Sequence, residues 1–123
     1  MRQRHLLTCG LDDKLSQLLH QRVQHHGISL RAVRQPDACL SLLRQGAVGV
    51  LVLRLGRDLE SEYGLLAQVA RQFPRVRLVA IGEVDHPPLA GLAWDLGADS
   101  VLASAEELDR LGDVIGAMFE EAS

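Results

Sequence analysis

Residues 48–53, Val-Gly-Val-Leu-Val-Leu, decide the fold of this chain. They are apolar without alternation, the pattern of a parallel strand covered on both faces, so Val48 to Leu53 is expected to be a central strand. Toward the C-terminus, Leu59, Tyr63, Leu66, Ala70 and Phe73 recur at helical spacing until Pro74 closes the stripe, and Val76 to Ile81 is a second apolar strand. Leu89, Leu92, Ala93 and Leu96 then mark a helix opened by Pro87 and Pro88 and closed by Gly97. A short strand at Val101 to Ala103 and a last helix carrying Leu108, Leu111, Ile115 and Met118 complete that half. Toward the N-terminus, Pro36 opens a helix whose buried stripe is Ala38, Cys39, Leu42 and Leu43 and which Gly46 ends. Before it, Ile28 to Val33 sets Ile28, Leu30 and Ala32 against Ser29 and Arg31, as a half-exposed strand does. His5 to Cys9 is a first strand ending at Gly10. Leu11, Leu15, Leu18, Leu19 and Val23 follow as a helix, with Asp12 or Asp13 as its cap and Gly27 as its terminator.

Five strands thus alternate strictly with five helices, with no repeat, linker or low-complexity segment, and residues 1–123 read as one domain. Strict alternation implies a parallel sheet with helices on both faces. The two most hydrophobic strands, the third and fourth, belong near the middle, and the polar-patterned second strand belongs at an edge. The flavodoxin-like order 2-1-3-4-5, a three-layer α/β sandwich, satisfies both conditions. In such a sheet function sits at the carboxyl ends of the strands. Those ends carry Cys9 to Asp13, Arg54 to Asp58, Gly82 to Asp85, and Ser104 to Glu106.

Composition narrows the function classes. At 47% apolar and 24% charged, the chain is in the ordinary globular range. Its uncharged stretches, Gly46 to Leu53 among them, are far short of the roughly 20 residues of a membrane span. The N-terminus has only a token apolar run and no small-residue cleavage site, so a cytoplasmic location is expected. A formal charge of −3 argues against an electrostatic grip on nucleic acid. Two cysteines, Cys9 and Cys39, are too few for a disulfide framework or a zinc cluster. His25 and His26 are adjacent and do not share a helix face, and His5, His20 and His86 lack partners at ligand spacing, so neither metal nor cofactor is expected.

Gly97-Ala98-Asp99 followed by Val101-Leu102 resembles the Gly-Ala-Asp-x-Tyr-Leu segment that leads into the fifth strand of receiver domains, the phosphoacceptor modules of bacterial two-component response regulators. The spacing from the end of the third strand to Pro74, to the end of the fourth strand and to Gly97 is similar too, and the resemblance covers nearly the whole chain. That family's chemistry uses two acids after the first strand to hold Mg²⁺ and an aspartate ending the third strand to accept a phosphoryl group. A Ser or Thr ends its fourth strand and a lysine its fifth. Carried over, the acid pair falls on Gly10 and Leu11, with Asp12 next door, and the acceptor falls on Arg54. The hydroxyl residue falls on Gly82, the lysine on Ser104, and the aromatic switch residue on Val101. Every one of these positions departs from the pattern.

The consequence is chemical. Phosphoryl transfer to an aspartate needs a carboxylate nucleophile and charge compensation for the phosphoryl oxygens. Arg54 cannot be a nucleophile, because its guanidinium stays protonated. Twelve of the thirteen basic residues are arginines, and Lys14, in the first helix, is the lone lysine that could offer an ammonium. A single carboxylate at Asp12 beside Arg54 is a poor Mg²⁺ site. The expectation is a degenerate, or pseudo-, receiver that is not an enzyme.

Three readings of Arg54 stand side by side. It is a surface arginine reaching over Asp12, Asp13, Asp58 or Glu83; or its cation replaces the metal–phosphate assembly and locks one conformation; or it holds a small anion together with Arg57, near helix N-termini. Cys9 ends the first strand, where phosphocysteine carriers and low-molecular-weight phosphatases of similar topology keep their nucleophile. Gly10-Leu11-Asp12-Asp13 follows it with two carboxylates that repel phosphate, and Leu15 stands where those phosphatases carry an arginine, so a structural buried cysteine is the stronger reading. Trp94 lies about 150° around its helix from the leucine cluster, hence away from the sheet. Gly112 and Gly116, four apart in the last helix, imply either close packing within the domain or the approach of a partner helix. Receivers engage partners through the fourth helix, fifth strand and fifth helix, which here carry Trp94, Val101, Gly112 and Gly116. The expected function is a non-catalytic signalling module acting by protein–protein contact, self-association through that face included. The alternatives are a small-anion sensor at Arg54 and Arg57 and, remotely, a phosphocysteine carrier using Cys9.

Overall fold

A computed structural model describes residues 4–46, 48–55, 59–82, 93–102 and 108–121. Five strands, β1 (Arg4–Cys9), β2 (Ile28–Val33), β3 (Val50–Leu55), β4 (Arg77–Gly82) and β5 (Ser100–Leu102), form one sheet in the order β2-β1-β3-β4-β5. Every pairing is parallel. The helices are α1 (Asp13–Gln24), α2 (Pro36–Arg44), α3 (Leu59–Gln72), α4, helical at residues 93–95, and α5 (Leu108–Glu121).

The period-2 alternation of the central strands divides the core in two. Leu6, Val50, Val52, Val79 and Ile81 face α1 and α5, meeting Leu15, Leu19 and Val23 from one helix and Leu111, Ile115, Met118 and Phe119 from the other. Leu7, Cys9, Leu51, Leu53, Leu55, Leu78 and Ala80 face the opposite side. There they meet Cys39 and Leu43 of α2, Leu65, Leu66 and Val69 of α3, and Ala93 of α4. Both faces of β3 are buried, which is why its sequence does not alternate. The edge strand β2 is largely exposed beyond Ile28.

Several boundaries and stripes differ from the sequence expectation. β3 runs from Val50 to Leu55 rather than from Val48 to Leu53. Gly49 lies just before it and already bridges two strands, donating to the His5 carbonyl at 3.0 Å and accepting from Arg77 N at 3.0 Å. Leu18 is exposed, because α1 rests on the sheet along the Leu15–Leu19–Val23 line alone. In α2, Ala38 is exposed and Leu42 is half-buried, leaving Cys39 and Leu43 as the buried pair. In α3 the fully buried residues are Leu65, Leu66 and Val69, while Tyr63, Ala70 and, just past the helix, Phe73 lie half-buried at the border of the core. Phe119 joins the α5 stripe.

The Gly97-Ala98-Asp99 segment has a structural reason. Gly97 adopts φ +115°, and a Cβ there would fall 2.5 Å from the Ala70 Cβ, so the turn into β5 passes against α3 only because no side chain intervenes. Ala98 is buried. Asp99 then fastens the turn to β4. Its Oδ2 accepts from Leu78 N at 2.8 Å, its own N–H donates to the Leu78 carbonyl at 2.7 Å, and its Oδ1 lies 3.7 Å from Arg77 Nη1.

Candidate functional site

The carboxyl ends of β1 and β3 lie side by side, since Cys9 pairs with Leu53. Beyond Cys9 the chain turns at Gly10, which adopts φ +81° and donates to the Val33 carbonyl at 3.1 Å. An acidic side chain at this position would have to accept left-handed backbone. Leu11 turns into the core and is buried. Asp12 is the N-cap of α1, its Oδ1 accepting from Leu15 N at 2.7 Å. Its other oxygen, Oδ2, lies 3.4 Å from Arg54 Nη1. The Arg54 side chain is 17% exposed and that of Asp12 50%, so the pair closes a recess from the solvent side. Gly82 ends β4 opposite Leu55. Arg57, Asp58, Glu83 and Ser104 lie outside the described residues.

A divalent cation needs several oxygen ligands drawn together. Asp12 is one carboxylate with both oxygens engaged, one by a backbone N–H and one by a guanidinium. Its neighbour Asp13 points outward, in an exposed ion pair with Arg34 at 3.6 Å. Among the described residues no three His, Cys, Asp or Glu side chains gather as a metal ion requires. Among the described residues this end of the sheet offers one inward carboxylate, too few oxygen ligands for Mg²⁺. The Arg54–Asp12 pair joins the carboxyl end of β3 to the N-cap of α1, and so holds these neighbouring elements together.

Two hollows flank this pair. One, of about 260 Å³, is lined by Gly10, Leu11, Asp12, Asp13 and Arg34. The other, of about 200 Å³, lies between the β1 and β3 ends and the first turns of α2 and α3, with Cys9, Arg34, Arg54, Ser61 and Glu62 in its wall. Cys9 is a buried part of that wall, and its thiol is within hydrogen-bond reach of the thiol of Cys39, which is fully buried on α2. Both cysteines are free. The Cys39 thiol donates to Cys9 and holds the Cys9 thiol below its ordinary range, against the opposing effects of burial and of Glu62. The same bond, with burial, pushes Cys39 up. Sequence reasoning takes Cys9 alone and misses this pair, because 29 intervening residues hide a contact that only the packing of α2 on β1 creates.

At α4, Ala93 is fully buried in the same half of the core as Cys9, and Trp94 beside it is 51% exposed, as the helical geometry of that segment predicts. Val101 on the edge strand β5 is half-buried against the core. Gly112 and Gly116 do not belong to this surface. Both are buried, and a Cβ on Gly112 would stand 3.2 Å from Arg22 Cβ, one on Gly116 3.3 Å from His26 Cε1. Their small size is used for the close approach of α5 to α1 inside the domain, which removes them from the expected partner interface.

No family model and no curated protein matches the sequence. Solved structures do match the fold. A response regulator from Thermotoga maritima superposes with a TM-score of 0.85 at 11% identity, covering 96% of this chain and 98% of that one. A two-component response regulator from Clostridium difficile does so with a TM-score of 0.85 at 15% identity, over 98% and 99% of the two chains. A CheY-like protein (tadZ) from Pseudomonas aeruginosa is 24% identical with a TM-score of 0.74, over 92% and 93%. At these identities the likeness is one of fold, and it spans the whole sheet and its helices: the chain has the fold of the response-regulator receiver domain.

Proposed function

We propose that this chain is a pseudo-receiver, a signalling module that takes up no phosphoryl group at β3 and works by binding protein. The observation that carries the reading is Arg54. A cation stands at the β3 carboxyl end, where phosphoryl transfer would need a carboxylate nucleophile, and it is engaged with Asp12, the one carboxylate of the β1 end that reaches into the recess. The positions that would supply a hydroxyl and an ammonium are Gly82 and Ser104. Incubation with acetyl phosphate and Mg²⁺, followed by intact-mass measurement, tests it: no adduct of about 80 Da should form. Arg54→Asp alone should not restore labelling, since neither the second acid, the hydroxyl nor the ammonium returns with it. Efficient labelling of the parent or of that variant would overturn the reading.

The partner surface of this reading centres on Trp94 and Val101, with a second copy of the chain as the first candidate partner. A second reading, a small-anion sensor, draws on the hollow of about 200 Å³ that has Arg34 and Arg54 in its wall, with Arg57 following in the sequence. Glu62 in the same wall weighs against it. A thermal-shift screen of inorganic and organic anions distinguishes the two, since a sensor would be stabilised in proportion to ligand concentration.

A further inference from the structure

The thiols of Cys9 and Cys39 sit within hydrogen-bond reach of each other, on different elements of the same half of the core. Cys9 is the last residue of β1 and Cys39 lies in the first half of α2. The pair is not sealed from solvent on every side. Cys9 forms part of the wall of the hollow of about 200 Å³ between the strand ends and α2, whose other walls carry the polar side chains of Arg34, Gln35, Arg54, Ser61 and Glu62. A small polar oxidant fits a space of that size and polarity. Thiols already in contact reach the roughly 2.0 Å of a disulfide bond by adjusting side chains.

We propose that Cys9 and Cys39 form a redox site, in which hydrogen peroxide entering through this hollow oxidises the dithiol to an intramolecular disulfide. In the first step the Cys9 thiolate attacks one peroxide oxygen. The O–O bond breaks, Cys9 becomes a sulfenic acid, and the departing oxygen leaves as water after taking a proton. In the second step the Cys39 sulfur attacks Cys9 Sγ and expels hydroxide, which takes the Cys39 proton and leaves as a second water. The two thiols lose two electrons and the peroxide gains them. The roles follow from position: Cys9 faces the hollow, and Cys39 lies behind it at 0% exposure. The hydrogen bond that Cys39 donates favours the thiolate on Cys9, in agreement with that order of attack. The product is a covalent link between the end of β1 and α2, beside the Arg54–Asp12 recess.

The test treats the folded protein with hydrogen peroxide, blocks remaining thiols with N-ethylmaleimide, and measures the intact mass and the tryptic peptides. The expected result is a monomer lighter by about 2 Da with no maleimide added, and one linked pair of tryptic peptides, residues 5–14 and 35–44. Cys39→Ser should abolish the link and leave a sulfenic acid on Cys9 that dimedone traps. Low, non-denaturing urea should leave the parent's oxidation rate unchanged, as reaction through the native hollow requires. Quantitative maleimide labelling of both thiols after peroxide would overturn the proposal. So would a rate that climbs with urea in step with global unfolding, or oxidation of Cys9 to the sulfinic acid without linkage. The measurements on the parent stand even where a serine at position 39 disturbs the core.

Discussion

Asp12 carries two separate duties, and substitution separates them. One oxygen caps α1 at 2.7 Å and the other pairs with Arg54 at 3.4 Å. Asparagine is as good an N-cap as aspartate but has no charge, so Asp12→Asn should cost only the ion pair, about 0.2–1 kcal/mol. Asp12→Ala loses the cap as well and should cost a further 1 kcal/mol or about that. Arg54→Ala removes the same ion pair together with the packing of a side chain only 17% exposed, so it should cost more than Asp12→Asn, and the double variant should cost less than the sum. Urea denaturation at low and high salt checks all of these, and the Arg54 effect should shrink as salt rises. Equal stabilities of Asp12→Asn and Asp12→Ala would mean that the cap contributes nothing. The sequence made the charge reversal at position 54 legible, because a guanidinium is never a nucleophile in any fold. Which of the acids Arg54 meets was not legible. That choice depends on the turn at Gly10, which places Asp12 over the β3 end and leaves Asp13 in solvent beside Arg34.

At the scale of the element, the last helix and the turn before β5 show small residues used for close approach. Gly116 faces the ring of His26, the movable end of an exposed side chain, whereas Gly112 faces Arg22 at its Cβ, which is tied to the α1 backbone. Gly116→Ala should therefore gain much of the roughly 1 kcal/mol of helix propensity that glycine forgoes, while Gly112→Ala should gain little or lose stability. Thermal denaturation of the two variants ranks them, and the reverse order would refute this account of the α1–α5 contact. The turn before β5 is less forgiving. Gly97→Ala meets both a positive φ and the Ala70 methyl, and Asp99→Ala removes a charge-assisted bond to Leu78 N. Loss of the Asp99 bond alone should cost about 1.5–3 kcal/mol in urea denaturation. Periodicity located all of these elements, yet it assigned Leu18 and Ala38 to buried stripes. A helix wheel shows which residues share a face, but the width of the contact with the sheet decides how much of that face is covered.

For the whole molecule, the outstanding feature is a large ring left half in water. Trp94 is 51% exposed while its neighbour Ala93 is sealed in the core. Such exposure marks a contact surface when a partner covers it. Trp94→Ala should change monomer stability by no more than about 0.5 kcal/mol, as for a surface substitution. If two copies meet through this face, it should weaken the dimer by about 2 kcal/mol, the scale of an interface hot spot. Sedimentation across a concentration series, with tryptophan emission recorded alongside, reads both. Emission that stays blue-shifted in the dilute monomer would contradict the exposure, and a dimer unaffected by the substitution would move the interface elsewhere.

The five-stranded parallel sheet was written in the one-dimensional pattern, because burial of strands on both faces and of helices on one leaves periods that composition alone cannot imitate. The departures from the receiver pattern at Gly10, Leu11, Arg54, Gly82 and Ser104 are equally plain, since they are residue identities and need no packing to be read. Tertiary structure alone decided where the small and reactive residues point. Gly112 and Gly116 pack against α1 and not against a partner because α5 returns across the sheet beside that helix. Cys9 and Cys39 meet because a right-handed crossover returns α2 to the β1 end. A contact between residues far apart in the chain has no period and no motif, so it exists only once the layers have closed.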